Sequence, residues 1–368
     1  MSRLILILKP TVLCNCSCKY CITPTDIPRN RVKIGVIERL CEKLSRSKIY
    51  DSFTFIWHGG EPLLMGIDFY KQVLGVQRKF LRKGTYVNTF QSNCTLIDDD
   101  WMNFFIENRI RVSTSLDGDK ELHDANRIRN GKGTFDETLE RVKRLQVAGL
   151  LAGVVTVLSK TNIKFADRFL KFFAANNIPT RLNPILPSER VLSSEEDMSI
   201  SAVEYADCLI ECFDKWMKGE YNDAKGRPIP IAPLTEIVYN FYHTDKPRLC
   251  NFSGTCGRGF LAINPVGDIY NCGRFCDIDD FKVANIEDGF ENIDDIIEVK
   301  NEMIKWNVCE AEKDECQDCE WFSVCNRGCP NSSYLFNGRI MDHDPYCVGY
   351  KKLFSHIYNH LKQNASNE

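Results

Sequence analysis

The sequence CNCSCKYC, residues 14–21, carries four cysteines in eight residues and follows a strand-like apolar run, LILIL, at residues 4–8. Thiolates bind both zinc and iron–sulfur clusters, and the lack of a nearby histidine favours iron and sulfide. Taking Cys14, Cys18 and Cys21 as ligands gives the spacing C-x3-C-x2-C. Three such ligands hold a four-iron cluster and leave one iron open. A zinc knuckle or a group of buried thiols is the alternative explanation.

The composition is that of an ordinary globular chain with many thiols. The 368 residues, 43% hydrophobic and 26% charged, suffice for one large domain and a smaller one. A net charge of -3 argues against a generally cationic nucleic-acid-binding protein. No secretory signal is evident, and no apolar run approaches the ~20 residues that cross a membrane, so we expect a cytoplasmic protein. In a reducing compartment, 18 cysteines indicate metal binding.

Short β-rich runs alternate with amphipathic helical runs up to about residue 225. Apolar residues recur every three or four positions in the helical runs at residues 35–44 and 138–145. This alternation predicts an α/β fold in which helices connect parallel strands. Ligands bind at the carboxyl ends of such strands, so the residues that follow each strand are the candidate site. The predicted strands are residues 3–8, 53–57, 86–90, 111–115, 153–157 and 180–183.

Polar sequences follow three of these strands and are joined by a fourth motif. Each is weak alone, because polar turns follow the strands of every such fold. Their order, the cysteine spacing and the aromatic residue before the last cysteine together resemble the radical S-adenosylmethionine (SAM) superfamily. The motifs are His58-Gly59-Gly60-Glu61-Pro62, Gln91-Ser92-Asn93-Cys94, Ser115-Leu116-Asp117-Gly118 and His123-Asp124-Ala125-Asn126-Arg127.

The resemblance implies a partial (βα)6 barrel of the TIM type and the chemistry of that family. There the open iron chelates SAM, and an electron from the cluster cleaves SAM to a 5'-deoxyadenosyl radical. Arg127 is expected to face the SAM carboxylate, which a planar guanidinium suits. Cys16 stands where the family is usually apolar and is interpreted as a spare thiol, and Cys94 replaces a customary glycine. The resemblance implies cofactor binding by Tyr20, Gly59, Gly60, Glu61, Gln91, Asn93, Ser115 and Arg127.

A second cysteine-rich region has ten cysteines within residues 250–347. Eight of them suffice for two further four-iron clusters, with two zinc sites as the alternative. The spacing resembles the SPASM extension of radical SAM peptide-modifying enzymes, especially the sulfatase-maturing branch. Residues 260–270 are predicted to form a β-hairpin. The resemblance implies one auxiliary cluster on Cys250, Cys256, Cys272 and Cys329 and another on Cys316, Cys319, Cys325 and Cys347, leaving Cys276 and Cys309 over.

These features predict a chain of four parts. Residues 1–225 form the barrel, 226–249 a linker, 250–347 the SPASM domain, and 348–368 a helix and tail. Because the first strand begins at residue 3, we expect no leader-binding module before the barrel. The expected partners are a peptide or protein substrate, an external one-electron reductant of flavodoxin or ferredoxin type, and a separate leader-peptide-binding protein. Neither nucleic acid nor a membrane is expected as a partner.

The residue after Cys272 bears on the choice between two activities. The sulfatase-maturing enzymes carry an aspartate there as a base, whereas this chain has Gly273, and Asp277 is the candidate base nearby. We therefore expect a cross-link or dehydrogenation in a ribosomally made peptide. The runner-up is formylglycine formation by a sulfatase-maturing enzyme. An iron–sulfur electron carrier or a zinc-binding interaction protein is the alternative of another class.

Overall fold

One ten-stranded sheet runs through the residues described by this computed structural model, namely 2–23, 30–254, 259–297, 316, 318–340 and 342–365. Its strands are β1 (Arg3–Leu8), β2 (Ser52–Trp57), β3 (Tyr86–Ser92), β4 (Arg111–Ser115), β7 (Leu151–Leu158), β8 (Thr180–Pro184), β9 (Ile231–Ala232), β10 (Phe260–Ile263), β11 (Asp268–Tyr270) and β12 (Lys282–Asn285). Strands β5 (Ile128–Arg129) and β6 (Lys132–Gly133) form a separate hairpin. The order in the sheet is β12-β11-β10-β1-β2-β3-β4-β7-β8-β9.

Helices connect the parallel strands, as the sequence predicts. All six predicted strands are confirmed, and the two predicted helices are found as α1 and α5. The helices are α1 (Ile34–Ser45), α2 (Ile67–Phe80), α3 (Asp99–Asn108), α4 (Lys120–Asp124), α5 (Phe135–Val147), α6 (Ala166–Ala175), α7 (Glu189–Leu192), α8 (Ala202–Met217), α9 (Leu234–Tyr242), α10 (Phe322–Cys325), α11 (Pro330–Asn337) and α12 (Cys347–Ala365).

The core lies between the outer face of the parallel strands and these helices. Successive side chains of a strand point to opposite faces, so every second residue of β1 is buried in it. Leu4, Leu6 and Leu8 belong to one hydrophobic cluster with Phe55 and Trp57 of β2. This packing holds the strands in register, so their carboxyl ends come to one edge of the sheet.

The C-terminal residues pack on both sides of the parallel array. Strand β10 pairs with β1 in parallel and with β11 in antiparallel, which confirms the predicted hairpin. The predicted linker, residues 226–249, contains β9, which pairs with β8, and helix α9. Helix α12 lies so close to α8 that a Cβ on Gly349 would stand 2.1 Å from the carbonyl oxygen of Ala202. The proposed four-part division of the chain stays a prediction.

Among the described residues, no helix has both the length and the apolar character needed to cross a membrane.

Candidate active site at the carboxyl edge of the sheet

The loop that carries Cys14 to Cys21 rests on the backbone of two glycines after β2. The Gly60 N–H donates to the carbonyl of Thr11 at 3.0 Å, and the Glu61 N–H donates to that of Leu13 at 2.7 Å. A Cβ on Gly60 would lie 2.1 Å from the Leu13 oxygen, and Gly59 has a φ of +111° that favours glycine. The glycines therefore let the cysteine loop approach β2, a role that the sequence did not reveal.

The other side of the cysteine loop is held by the segment that follows α4. The Ser17 N–H donates to the Ile128 carbonyl at 2.7 Å, and the Lys19 N–H donates to the Asn126 carbonyl at 3.1 Å. Backbone hydrogen bonds on both sides therefore determine where the loop lies.

Glu61 ties the end of β2 to the end of β3. Its side chain is fully buried, and its Oε1 accepts hydrogen bonds from the Leu63 N–H at 3.0 Å and the Ser92 hydroxyl at 2.8 Å. Its Oε2 accepts one from the Asn93 N–H at 2.8 Å. Burial raises the pKa of Glu61 to about 7, against the effect of these donors. Both carboxylate oxygens are thus engaged by the chain itself.

Asn93 connects β3 to the first cysteine. Its Nδ2 donates to Asn15 Oδ1 at 2.8 Å and to Cys14 Sγ at 3.7 Å. A side-chain hydrogen bond with Cys16 lowers the pKa of Cys14 to about 6, although burial acts in the opposite direction. The predicted spare thiol therefore lies beside a predicted ligand. Cys94 has a φ of +63°, so it keeps a glycine-like backbone conformation despite its side chain.

Asp117, just after β4, joins the cysteine loop to β7 and to the segment that follows α4. It is fully buried; its Oδ1 accepts from the Val157 N–H at 3.0 Å, and its Oδ2 accepts from Arg127 Nε at 2.7 Å and from the Tyr20 hydroxyl. Arg127 Nη1 donates to Cys18 Sγ at 3.9 Å. Arg127, predicted to face a carboxylate of SAM, is thus already paired with Asp117. The sequence motif after the fourth predicted strand gives no sign of this role of Asp117.

Gln91 and Ser115 lie together on neighbouring strands. The Ser113 hydroxyl donates to Gln91 Oε1 at 2.8 Å, and Gln91 Nε2 donates to the Ser115 hydroxyl at 3.4 Å. Burial raises the pKa of Cys18 to about 11. The charge of Arg127 acts in the opposite direction, and that of Cys21 in the same direction. The structure therefore places Glu61 and Asn93 against the cysteine loop, whereas Gln91 and Ser115 bond to each other on the neighbouring strands.

Three of the four thiols in the first predicted auxiliary set converge on Arg274. Arg274 Nη1 donates to Cys329 Sγ at 3.7 Å, and the Arg274 charge also interacts with Cys250 and Cys272. Cys329 is the residue that immediately precedes helix α11. Cys256, the fourth member, and the leftover Cys309 lie outside the described residues.

The four thiols of the second predicted auxiliary set line one cavity. Cys325 is at the end of α10, and Cys347 is at the start of α12. Much of the remaining lining is aromatic, and such thiol donors in an apolar setting fit an iron–sulfur cluster. Within the described ranges, no group of three or more His, Cys, Asp or Glu is arranged to hold a single metal ion. The cavity is lined by Cys316, Cys319, Cys325 and Cys347 with Trp321, Phe322, Tyr350 and Phe354, among others.

Asp277, the candidate base, is held between β1 and the β10–β11 turn. Its Oδ2 lies 3.1 Å from Lys9 Nζ, and its Oδ1 accepts from Asn264 Nδ2 at 3.1 Å. The side chain is 9% exposed, and its backbone has a φ of +73°. Nearby, a Cβ on Gly273 would lie 3.0 Å from Ile7 Cγ2, so this segment packs closely on β1. Whether Asp277 acts as a base stays a prediction.

Comparison with known proteins gives one family and several full-length similarities. Residues 8–172 match the radical SAM superfamily. The chain is 28% identical to the cysteine-type anaerobic sulfatase-maturating enzyme of Clostridium novyi, over 96% of this chain and 95% of that protein. It is 30% identical to an uncharacterized protein of Synechocystis sp., over 91% and 85% of the two chains.

A solved structure is similar over almost the whole length. It is that of native anSMEcpe with bound AdoMet and Cp18Cys peptide, with a TM-score of 0.85, 25% identity and 99% of each chain covered. This likeness confirms the predicted α/β barrel fold with its cysteine-rich C-terminal part.

Replacing Gly60 with alanine should destabilise the protein, because the new Cβ would lie 2.1 Å from a backbone oxygen of the cysteine loop. Overpacking of this kind costs about 1–3 kcal/mol. Thermal unfolding of anaerobically purified protein would measure the effect. Gly75→Ala is the matched control, because a Cβ on Gly75 in α2 meets no atom within 4 Å. Equal melting temperatures for the two variants would contradict the role assigned to Gly60.

Asp117→Asn should leave the guanidinium of Arg127, only 11% exposed, without its anion. Breaking a buried ion pair on one side costs about 3–5 kcal/mol. Asp119→Asn is the control, since its partner Arg168 is 43% exposed and such surface pairs contribute about 0–1 kcal/mol. Denaturant unfolding under anaerobic conditions measures both variants. If Asp117→Asn unfolds like Asp119→Asn, the pair is not a significant constraint.

Proposed function

The chain belongs to the radical SAM superfamily, and we propose that it oxidises a residue of a peptide or protein substrate with SAM and iron–sulfur clusters. The observation that carries the proposal is the convergence of three strand ends on the cysteine loop. Glu61 after β2, Asn93 after β3 and Asp117 after β4 each reach that loop or its neighbours. When bound at Cys14, Cys18 and Cys21, a cluster supplies the electron that cleaves SAM to methionine and a 5'-deoxyadenosyl radical.

The residues proposed to bind SAM are those whose polar atoms remain available near this loop. Arg127 uses its Nε on Asp117 and one N–H of its Nη1 on Cys18, so its remaining outer N–H groups are proposed to pair with the SAM carboxylate. Gln91 and Ser115, joined across β3 and β4, are proposed to offer an amide and a hydroxyl to SAM. Glu61 is proposed to act indirectly, since its two oxygens already position Ser92 and Asn93.

The auxiliary cysteines are proposed to hold two further four-iron clusters. The convergence of Cys250, Cys272 and Cys329 on Arg274 and the cavity lined by four thiols support this assignment. In the proposed oxidation the substrate loses a hydrogen atom to the 5'-deoxyadenosyl radical, then an electron to an auxiliary site and a proton to a base. A flavodoxin- or ferredoxin-type reductant and a separate leader-binding protein are proposed partners.

Two products are candidates for this oxidation. Gly273, in the place where a base is expected by resemblance, favours a cross-link or a dehydrogenation in a peptide, in which a base elsewhere takes the proton and Asp277 is the proposed candidate. The full-length similarity to a cysteine-type anaerobic sulfatase-maturating enzyme favours formylglycine formation instead. We propose the former, because Gly273 packs against Ile7 of β1 and leaves no carboxylate at that position.

Iron counting and SAM turnover test the cluster assignment. Anaerobically reconstituted protein should contain about twelve irons and form 5'-deoxyadenosine with a strong reductant, because three four-iron sites are proposed. The triple variant Cys14→Ala, Cys18→Ala, Cys21→Ala should retain about eight irons and lose SAM cleavage. Cys41→Ala, which alters a buried thiol of α1, is the control and should keep about twelve. An iron content of about four or none would contradict the assignment.

A peptide assay separates the two candidate products. With a peptide containing the C-x-P-x-R motif, mass spectrometry should find no formylglycine from the unaltered chain. Gly273→Asp should increase formylglycine formation, since a positioned base contributes about 10²–10⁴-fold. Gly289→Asp, where a Cβ meets no atom within 4 Å, is the control for an added carboxylate. Efficient aldehyde formation by the unaltered chain would favour a sulfatase-maturing activity.

A further inference from the structure

Arg274 lies among three cysteines that are far apart in the sequence. Its Nη1 donates to Cys329 Sγ at 3.7 Å, and Cys250 and Cys272 lie near enough to interact with its charge. The thiols come from the residues before β10, the residues after β11 and the residue that precedes α11. The guanidinium therefore contacts the Cys329 sulfur and lies near two other cysteines of one proposed cluster site.

No carboxylate among the described residues forms an ion pair with Arg274. Asp344, whose carboxylate interacts with the charge of Arg274, accepts hydrogen bonds from the Cys329 N–H at 2.8 Å and the Tyr346 N–H at 2.9 Å. Arg274 is half-buried, and a guanidinium that is partly removed from water is stabilised by a nearby anion. Deprotonated cysteines are the nearby groups that can supply this negative charge. Four thiolates on a four-iron core carry a net negative charge.

The position of Arg274 is fixed by the segment that carries Cys329. Asn331, fully buried in α11, donates from its Nδ2 to the Arg274 carbonyl at 3.2 Å. Gly273, just before Arg274, packs on Ile7 of β1. The backbone of Arg274 is thus held from two sides, and its Nη1 reaches the sulfur of Cys329.

We propose that Arg274 is the counter-ion of the auxiliary site formed by Cys250, Cys272 and Cys329 and raises the reduction potential there. A positive charge and an N–H donor to sulfur stabilise the reduced, more negative state. A higher potential makes the site a better acceptor of the electron that the substrate releases. The proposal rests on the proposed function only in requiring a cluster at these cysteines.

A redox titration followed by electron paramagnetic resonance tests this role. The full chain carries Cys14→Ala, Cys18→Ala and Cys21→Ala, so the signals come from auxiliary sites and no SAM cleavage is needed. Adding Arg274→Gln should make reduction of one of the two auxiliary sites at least tenfold less favourable. For a one-electron couple, this lowers the midpoint potential of that site by about 59 mV. The other midpoint should not move.

Two further variants separate charge from shape. Arg274→Lys keeps the charge and should shift the equilibrium less than threefold. Arg168→Gln removes a charge from an exposed pair and should shift neither midpoint. Unchanged potentials in Arg274→Gln, or equal falls in the Gln and Lys variants, would overturn the proposal.

Iron content decides the remaining outcomes. If Arg274→Gln loses about four irons while Arg274→Lys keeps them at an unshifted potential, the result supports the role of the positive charge as the counter-ion. Loss in both variants would overturn the proposal, because the guanidinium would then serve assembly. Absence of auxiliary iron in the background chain would refute both the proposal and the cluster assignment. Failure of SAM cleavage in the unaltered chain, with the potential shift present, would refute only the proposed function.

Discussion

The close approach of the cysteine loop to the backbone of Gly60 is the constraint on which the candidate site depends. The N–H groups of Gly60 and Glu61 bond to carbonyls of that loop, and a single Cβ at Gly60 would collide with it. A loop with three proposed ligands in eight residues has little hydrophobic surface with which to fix itself. Its position is therefore determined by backbone hydrogen bonds to the residues after β2 and to the residues after α4.

Buried charges give this arrangement its rigidity. Both carboxylate oxygens of Glu61 accept hydrogen bonds from the chain. Asp117 binds Arg127, Tyr20 and the backbone of β7. These carboxylates link the ends of strands β2, β3, β4 and β7, where parallel α/β folds place their ligands. The groups left to recognise a cofactor are neutral or cationic, which suits a ligand with a carboxylate.

The C-terminal part is connected to the same first strand. Strand β10 pairs with β1, and β11 delivers Cys272 two residues after it ends. Lys9, directly after β1, pairs with Asp277, and Ile7 lies against Gly273. One strand therefore positions both the cysteine loop and the first auxiliary set, so the separation between the two proposed cluster sites depends on β1.

The sequence by itself determined the six parallel strands and the hairpin, because the periodicity of apolar residues is a local property of the sequence. The division of the later cysteines into two sets was implied by the family resemblance and stays a prediction. Only the tertiary structure decided that the glycine pair supports the cysteine loop, that Asp117 holds Arg127, and that Arg274 faces Cys329. These contacts join residues far apart in the chain, and no local pattern specifies which of many polar residues will meet. Close packing and the need to neutralise buried charge select the partners.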